Sequence, residues 1–109
     1  MYQGSTPTLP IRIPGKNLTE AKLFLTIKDS RNGNLQTITS DSENFSVSFD
    51  GNDTVGEVTL TQEQTLAISA GSASIQLRFV FPNGKAGVTQ KKMLCVNDVL
   101  LKDVISYDG

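Results

Sequence analysis

Apolar and polar residues alternate with a period of two over most of the chain. In residues 21–28, one set of alternate positions holds Ala, Leu, Leu and Ile, and the other holds Lys, Phe, Thr and Lys. Successive side chains of a β-strand point to opposite faces, so this segment is predicted to be a half-buried strand. Similar patterns predict further strands at residues 9–13, 35–39, 45–49, 58–60, 73–81 and 88–96. The expected core is one face of these strands, with Leu23, Leu25, Ile27, Phe45, Val47, Phe49, Ile75, Leu77 and Phe79 inside.

Turn residues separate the strands at the intervals of about 8–12 residues that are typical of β-sandwiches. Asn32-Gly33 and Asn83-Gly84 are hairpin-turn sequences, and Thr61–Gln64 has the spacing of a capping box that starts a helical turn. The predicted fold is therefore all-β: an antiparallel immunoglobulin-like β-sandwich of about seven strands with one short helical turn. The Cys…Trp…Cys signature of true immunoglobulin domains is absent, so only the architecture is predicted. An open Greek-key barrel is the alternative.

The composition removes several classes of function. The chain has 109 residues, no His, no Trp, one Cys and a formal net charge of -1. This length fits one domain, predicted to span residues 1–109. Without His or a nucleophile motif, we expect no enzyme, no catalytic, cofactor-binding or metal-binding residues, and no cofactor. The balanced charge and the scarcity of aromatic residues argue against nucleic-acid binding. The lack of a long apolar segment argues against a membrane span, and no small-molecule partner is expected.

The two ends of the chain do not continue the strand pattern. Residues 1–7 form an N-terminal arm that the core is not expected to need, and residues 97–109 form a C-terminal tail. The tail carries large aliphatic residues that either pack on their own sandwich or contact another chain. These aliphatic residues are Val99, Leu100, Leu101, Val104 and Ile105.

Two single residues also carry expectations. Cys95 lies in an apolar strand segment and is predicted to be a buried, structural thiol. Phe24 occupies the polar side of its strand, where either the arm or the tail covers it or a partner binds it. The residues expected to contact a partner are thus Tyr2, Phe24, Val99, Leu100 and Leu101.

Four segments resemble small proteins from the tail and baseplate regions of Firmicutes phages and prophages. They are Met1–Thr8, Leu60–Leu66, Ile75–Arg78 and Cys95–Leu100. The resemblance implies a non-enzymatic virion structural protein, made in the bacterial host cytoplasm and incorporated in the virion. Its implied partners are other phage structural proteins or further copies of itself, as a homo-oligomer.

Two alternatives to a tail or baseplate component remain open. One is a prophage accessory binding protein that inhibits a host defence enzyme. The other is a β-sandwich module for adhesion or carbohydrate binding, although such modules usually display aromatic residues and this chain has two Tyr and no Trp.

Overall fold

A computed structural model describes residues 1–107 and contains two antiparallel β-sheets around one core, which confirms the predicted all-β sandwich. Its elements in chain order are β1 (Thr8–Ile13), β2 (Lys22–Asp29), β3 (Leu35–Thr39), β4 (Phe45–Asp50), β5 (Asp53–Thr59), α1 (Gln62–Leu66), β6 (Gly71–Val80), β7 (Ala86–Val88) and β8 (Lys92–Val96). One sheet has the order β1-β5-β4. The other has the order β3-β2-β6, and β7 and β8 both pair with the remaining edge of β6. The chain changes sheet after β1, β3 and β5, as in an immunoglobulin-like sandwich.

The strand predicted at residues 88–96 is interrupted by Thr89. The Thr89 backbone N–H donates to the Leu77 carbonyl at 2.9 Å, and the Leu77 N–H donates to the Thr89 hydroxyl at 3.1 Å. The Thr89 hydroxyl thus accepts the hydrogen bond that a backbone carbonyl would accept in a continuous strand paired with β6. The last segment therefore forms two short strands, and the sandwich has eight strands rather than about seven.

The core lies between the sheets and contains most of the residues predicted for it. Six of them are buried, namely Leu23, Leu25, Ile27, Phe45, Leu77 and Phe79. Val47 and Ile75 are half-buried and pack against these. Phe49 was wrongly predicted, since it is 42% exposed. It lies near the end of β4, which is the edge strand of its sheet, so no further strand shields it.

Helix α1 connects β5 of the three-stranded sheet to β6 of the five-stranded sheet. The predicted capping box forms the start of this helix. The Thr61 N–H donates to Gln64 Oε1 at 2.8 Å, and the Gln64 N–H donates to Thr61 Oγ1 at 3.1 Å. These bonds satisfy two backbone donors that a helix start otherwise leaves unpaired. None of the helices in residues 1–107 has the length and hydropathy needed to span a membrane.

The N-terminal arm belongs to the sandwich, contrary to the sequence-based expectation. Residue 2 forms a parallel bridge with Asn97, and the Gln3 N–H donates to the Asn97 carbonyl at 3.0 Å. The Gln3 side chain is buried and donates to the carbonyl of Ile68 at 2.6 Å. Met1 also packs against the core. The arm was misjudged because backbone pairing requires no apolar alternation.

A buried carboxylate connects two segments that are distant in sequence. Asp29, at the end of β2, is 2% exposed. Its Oδ1 accepts from the Arg31 N–H at 2.9 Å, and its Oδ2 accepts from the Ser69 N–H at 2.7 Å. The Ser69 N–H is the largest influence on the pKa of Asp29, which lies below its ordinary value although burial acts in the opposite direction. Asp29 thus joins the β2–β3 turn to the segment after α1.

Gly56 is required by the close approach of two strands. It lies in β5, the middle strand of its sheet, opposite Ile11 and Val47. A Cβ atom at this position would collide with the backbone carbonyl oxygen of Ser46. Because a backbone atom cannot rotate away, we expect Gly56→Ala to lower the free energy of unfolding by about 1–3 kcal/mol.

Urea denaturation of this variant and of Ser48→Ala tests the prediction. Ser48 is exposed on β4, so its variant should stay within about 0.5 kcal/mol of the parent. Equal midpoints for Gly56→Ala and Ser48→Ala would show that the strands separate at no cost.

Candidate interaction surface

The C-terminal tail lies against the arm and helix α1 through polar contacts. The Ile105 N–H donates to Gln62 Oε1 at 2.8 Å, and Gln62 Nε2 donates back to the Ile105 carbonyl at 3.0 Å. Lys102 Nζ donates to Gln3 Oε1 at 2.6 Å and pairs with Asp98. The hydrogen bond that Lys102 donates to Asp98, together with the charge of Lys102, holds the pKa of Asp98 below its usual range. The tail backbone therefore has a defined position on the sandwich.

The apolar side chains of the tail remain outside the core. Leu100 is fully exposed, and Leu101, Val104 and Ile105 are 57–59% exposed. We refer to these four residues as the tail patch. Apolar side chains grouped in this way on a short segment are typical of a surface that contacts another molecule. Val99 is half-buried and contributes less.

The structure brings only some of the predicted partner residues together. Tyr2 is 61% exposed. It lies beside the start of the tail, because its backbone forms a β-bridge with Asn97. The tail follows β8, whose last residue, Val96, lies opposite Gly71 at the start of β6. Phe24 instead lies opposite Arg78, seven residues further along β6. Seven residues of strand span roughly 23 Å, at about 3.3 Å each. The expectation that the arm or the tail covers Phe24 is therefore wrong.

A second surface is formed by the outward side of the five-stranded sheet, here called the basic face. It includes Phe24, Lys28, Leu35 and Arg78, with Lys91 at its margin. Two depressions of about 410 and 580 Å³ lie on this face and share the side chains of Thr26 and Arg78. Phe24 and Val80 line the first depression, and Leu35 lines the second.

The basic face carries positive charge without acidic residues. No outward position of its strands holds Asp or Glu. Lys22 pairs with Asp41 at 2.8 Å and lies 5.5 Å from the centre of the Phe24 ring. Within residues 1–107, Lys28, Arg78 and Lys91 form no ion pair. These three cations are thus available to an anionic partner.

The other groups with chemical potential are dispersed. Cys95 is exposed, contrary to prediction, because Leu94 and Val96 face inward and the alternation of β8 turns Cys95 outward. The Gly15 N–H and the Arg12 guanidinium hold the pKa of Asp53 below its ordinary value, and Arg12 also pairs with Asp50 at 3.6 Å. In the described part of the chain, no three Cys, Asp or Glu residues are grouped so as to hold a metal ion.

Comparison with known proteins adds no relative to these observations. No protein-family model matches the chain, and no curated protein matches it.

Proposed function

We propose that this protein is a non-enzymatic structural component of a phage or prophage virion, in the tail or baseplate, that acts through protein–protein contacts. The tail patch is the observation that carries the proposal. Four large aliphatic side chains project from a tail that is held by hydrogen bonds between the Ile105 backbone and Gln62 and between the Lys102 side chain and Gln3. The resemblance of four segments to phage tail-region proteins provides the biological setting.

The energetics of the tail patch favour burial by a partner. Complete burial of an aliphatic side chain of this size contributes roughly 1.5–3 kcal/mol. The tail backbone is already in place, so binding requires less ordering of the chain than a free segment would. A preformed apolar surface of this kind suits a subunit that must assemble with others.

Incorporation into particles is the test of the proposal. Virions produced by a strain that carries the gene are purified on a density gradient and probed for the protein by immunoblot. The parent protein should migrate with the tails. Leu100→Gln combined with Leu101→Gln should remain in the particle-free fraction, because two of the four side chains of the tail patch are then polar.

Phe49→Gln is the matched control, since Phe49 is 42% exposed on β4 of the three-stranded sheet, outside both the tail patch and the basic face. This variant should enter particles as the parent does. Parent protein found only in the particle-free fraction would contradict a virion role and favour an accessory inhibitor. Binding of the parent to host-cell polysaccharide without particle association would instead favour the carbohydrate module.

A further inference from the structure

We propose that the tail patch of one copy binds the basic face of a second copy of the chain. The inference rests on the proposed assembly role and names the partner. It joins the tail, which starts at the Gly71 end of β6, to a face whose first depression surrounds Arg78, seven residues further along that strand. The tail patch supplies aliphatic side chains, and the basic face supplies two depressions partly lined by Phe24, Val80 and Leu35.

The charges of the two surfaces are complementary. Residues 97–109 contain three Asp and one Lys, so the tail is acidic. Asp98 is already paired with Lys102, whereas Asp103 forms no ion pair with residues 1–107. The basic face likewise has three cations without a carboxylate partner within residues 1–107, namely Lys28, Arg78 and Lys91. Contact between two basic faces would place like charges together and is disfavoured.

The tail cannot reach the basic face of its own molecule at Phe24. The Ile105 backbone is bound to Gln62, and the Lys102 side chain is bound to Gln3. The tail starts at the Gly71 end of β6, whereas Phe24 lies opposite Arg78, seven residues away. At the depression lined by Phe24, the contact therefore forms between molecules. Because it joins two different surfaces, every open assembly keeps one free tail patch and one free basic face at its ends, and it can grow linearly until a ring closes.

Sedimentation velocity on the purified protein tests the contact over a range of concentrations. The parent should form assemblies larger than dimers, and added salt should weaken them, because it screens the charges at the rim of the contact. Lys28→Glu with Arg78→Glu, the face variant, should associate roughly tenfold or more weakly. Lys16→Glu with Lys92→Glu changes the net charge equally outside both depressions and should associate as the parent does.

Mixing two defective variants distinguishes this contact from others. The face variant keeps an intact tail, and the Leu100→Gln, Leu101→Gln variant, the tail variant, keeps an intact basic face. Each should be monomeric alone, and a mixture should form dimers that grow no further. Circular dichroism and thermal melting equal to those of the parent confirm that both variants are folded.

The opposite results overturn the inference. A parent that is monomeric at all concentrations excludes contact between copies, and a face variant that still associates shows tail-to-tail or other contacts instead. Both results concern the purified chain, whereas incorporation into particles reports on the proposed function. The two ideas can therefore fail independently.

Discussion

Leu77→Ala should lower the free energy of unfolding by about 2–5 kcal/mol, as large-to-small changes in well-packed cores do. Leu77 is 4% exposed in the middle of β6. Its backbone is held on both sides, by Leu25 of β2 and by Thr89. The surrounding strands are thus restrained from collapsing into the space that the missing atoms leave. Urea denaturation followed by circular dichroism measures the loss.

Val88→Ala provides the control for Leu77→Ala. Val88 lies on the neighbouring strand β7 and is 58% exposed. Its truncation removes apolar atoms from the surface, so the free energy of unfolding should change by no more than about 0.5 kcal/mol. Similar denaturation midpoints for the two variants would contradict the assignment of Leu77 to the inner face.

Removal of the Asp29 carboxylate should be the second largest effect. Asp29→Ala leaves the backbone N–H groups of Arg31 and Ser69 without their acceptor. Each buried donor without an acceptor lowers the free energy of unfolding by about 1–3 kcal/mol. The total loss is largest if water reaches neither of these two N–H groups. Asp29→Asn has the same shape, but its amide nitrogen cannot accept a hydrogen bond, so one of the two donors remains unpaired.

The pH dependence of stability tests whether the negative charge of Asp29 is the cause of its stabilising effect. Its folded-state pKa lies below the ordinary value of 3.8, so its stabilising contribution is complete above that value. The contribution is lost as the pH falls through the folded-state pKa. The difference in unfolding free energy between the parent and Asp29→Asn should therefore shrink on acidification below about pH 4. A difference independent of pH would mean that shape, and not charge, matters at this position.

Local patterns predicted the strands and the helix start because both depend on neighbours in sequence. The alternation of β2 and the capping box at Thr61 each follow from spacing alone. Phe49 and Cys95 show where such reasoning ends. Alternation assigns a side chain to one of two faces, but it does not show which face is covered at an edge strand or at the end of a sheet.

The candidate interaction surfaces were only partly predictable. The aliphatic content of the tail marked Leu100 and Leu101 as candidates, and both are exposed. The basic face was missed because Lys28, Arg78 and Lys91 are far apart in sequence and only strand pairing brings them together. Gln3 gave no signal at all, since one buried amide bonded to a distant carbonyl has no sequence pattern.

The position of β6 determines the order in which the chain can fold during synthesis. β6 pairs with β2 on one side and with β7 and β8 on the other, yet it begins only at Gly71. Until it emerges, the β2–β3 hairpin presents an open strand edge, and such edges are sites of aggregation. Production of this protein should therefore depend on how long the nascent chain remains without its central strand after β3 has been synthesised.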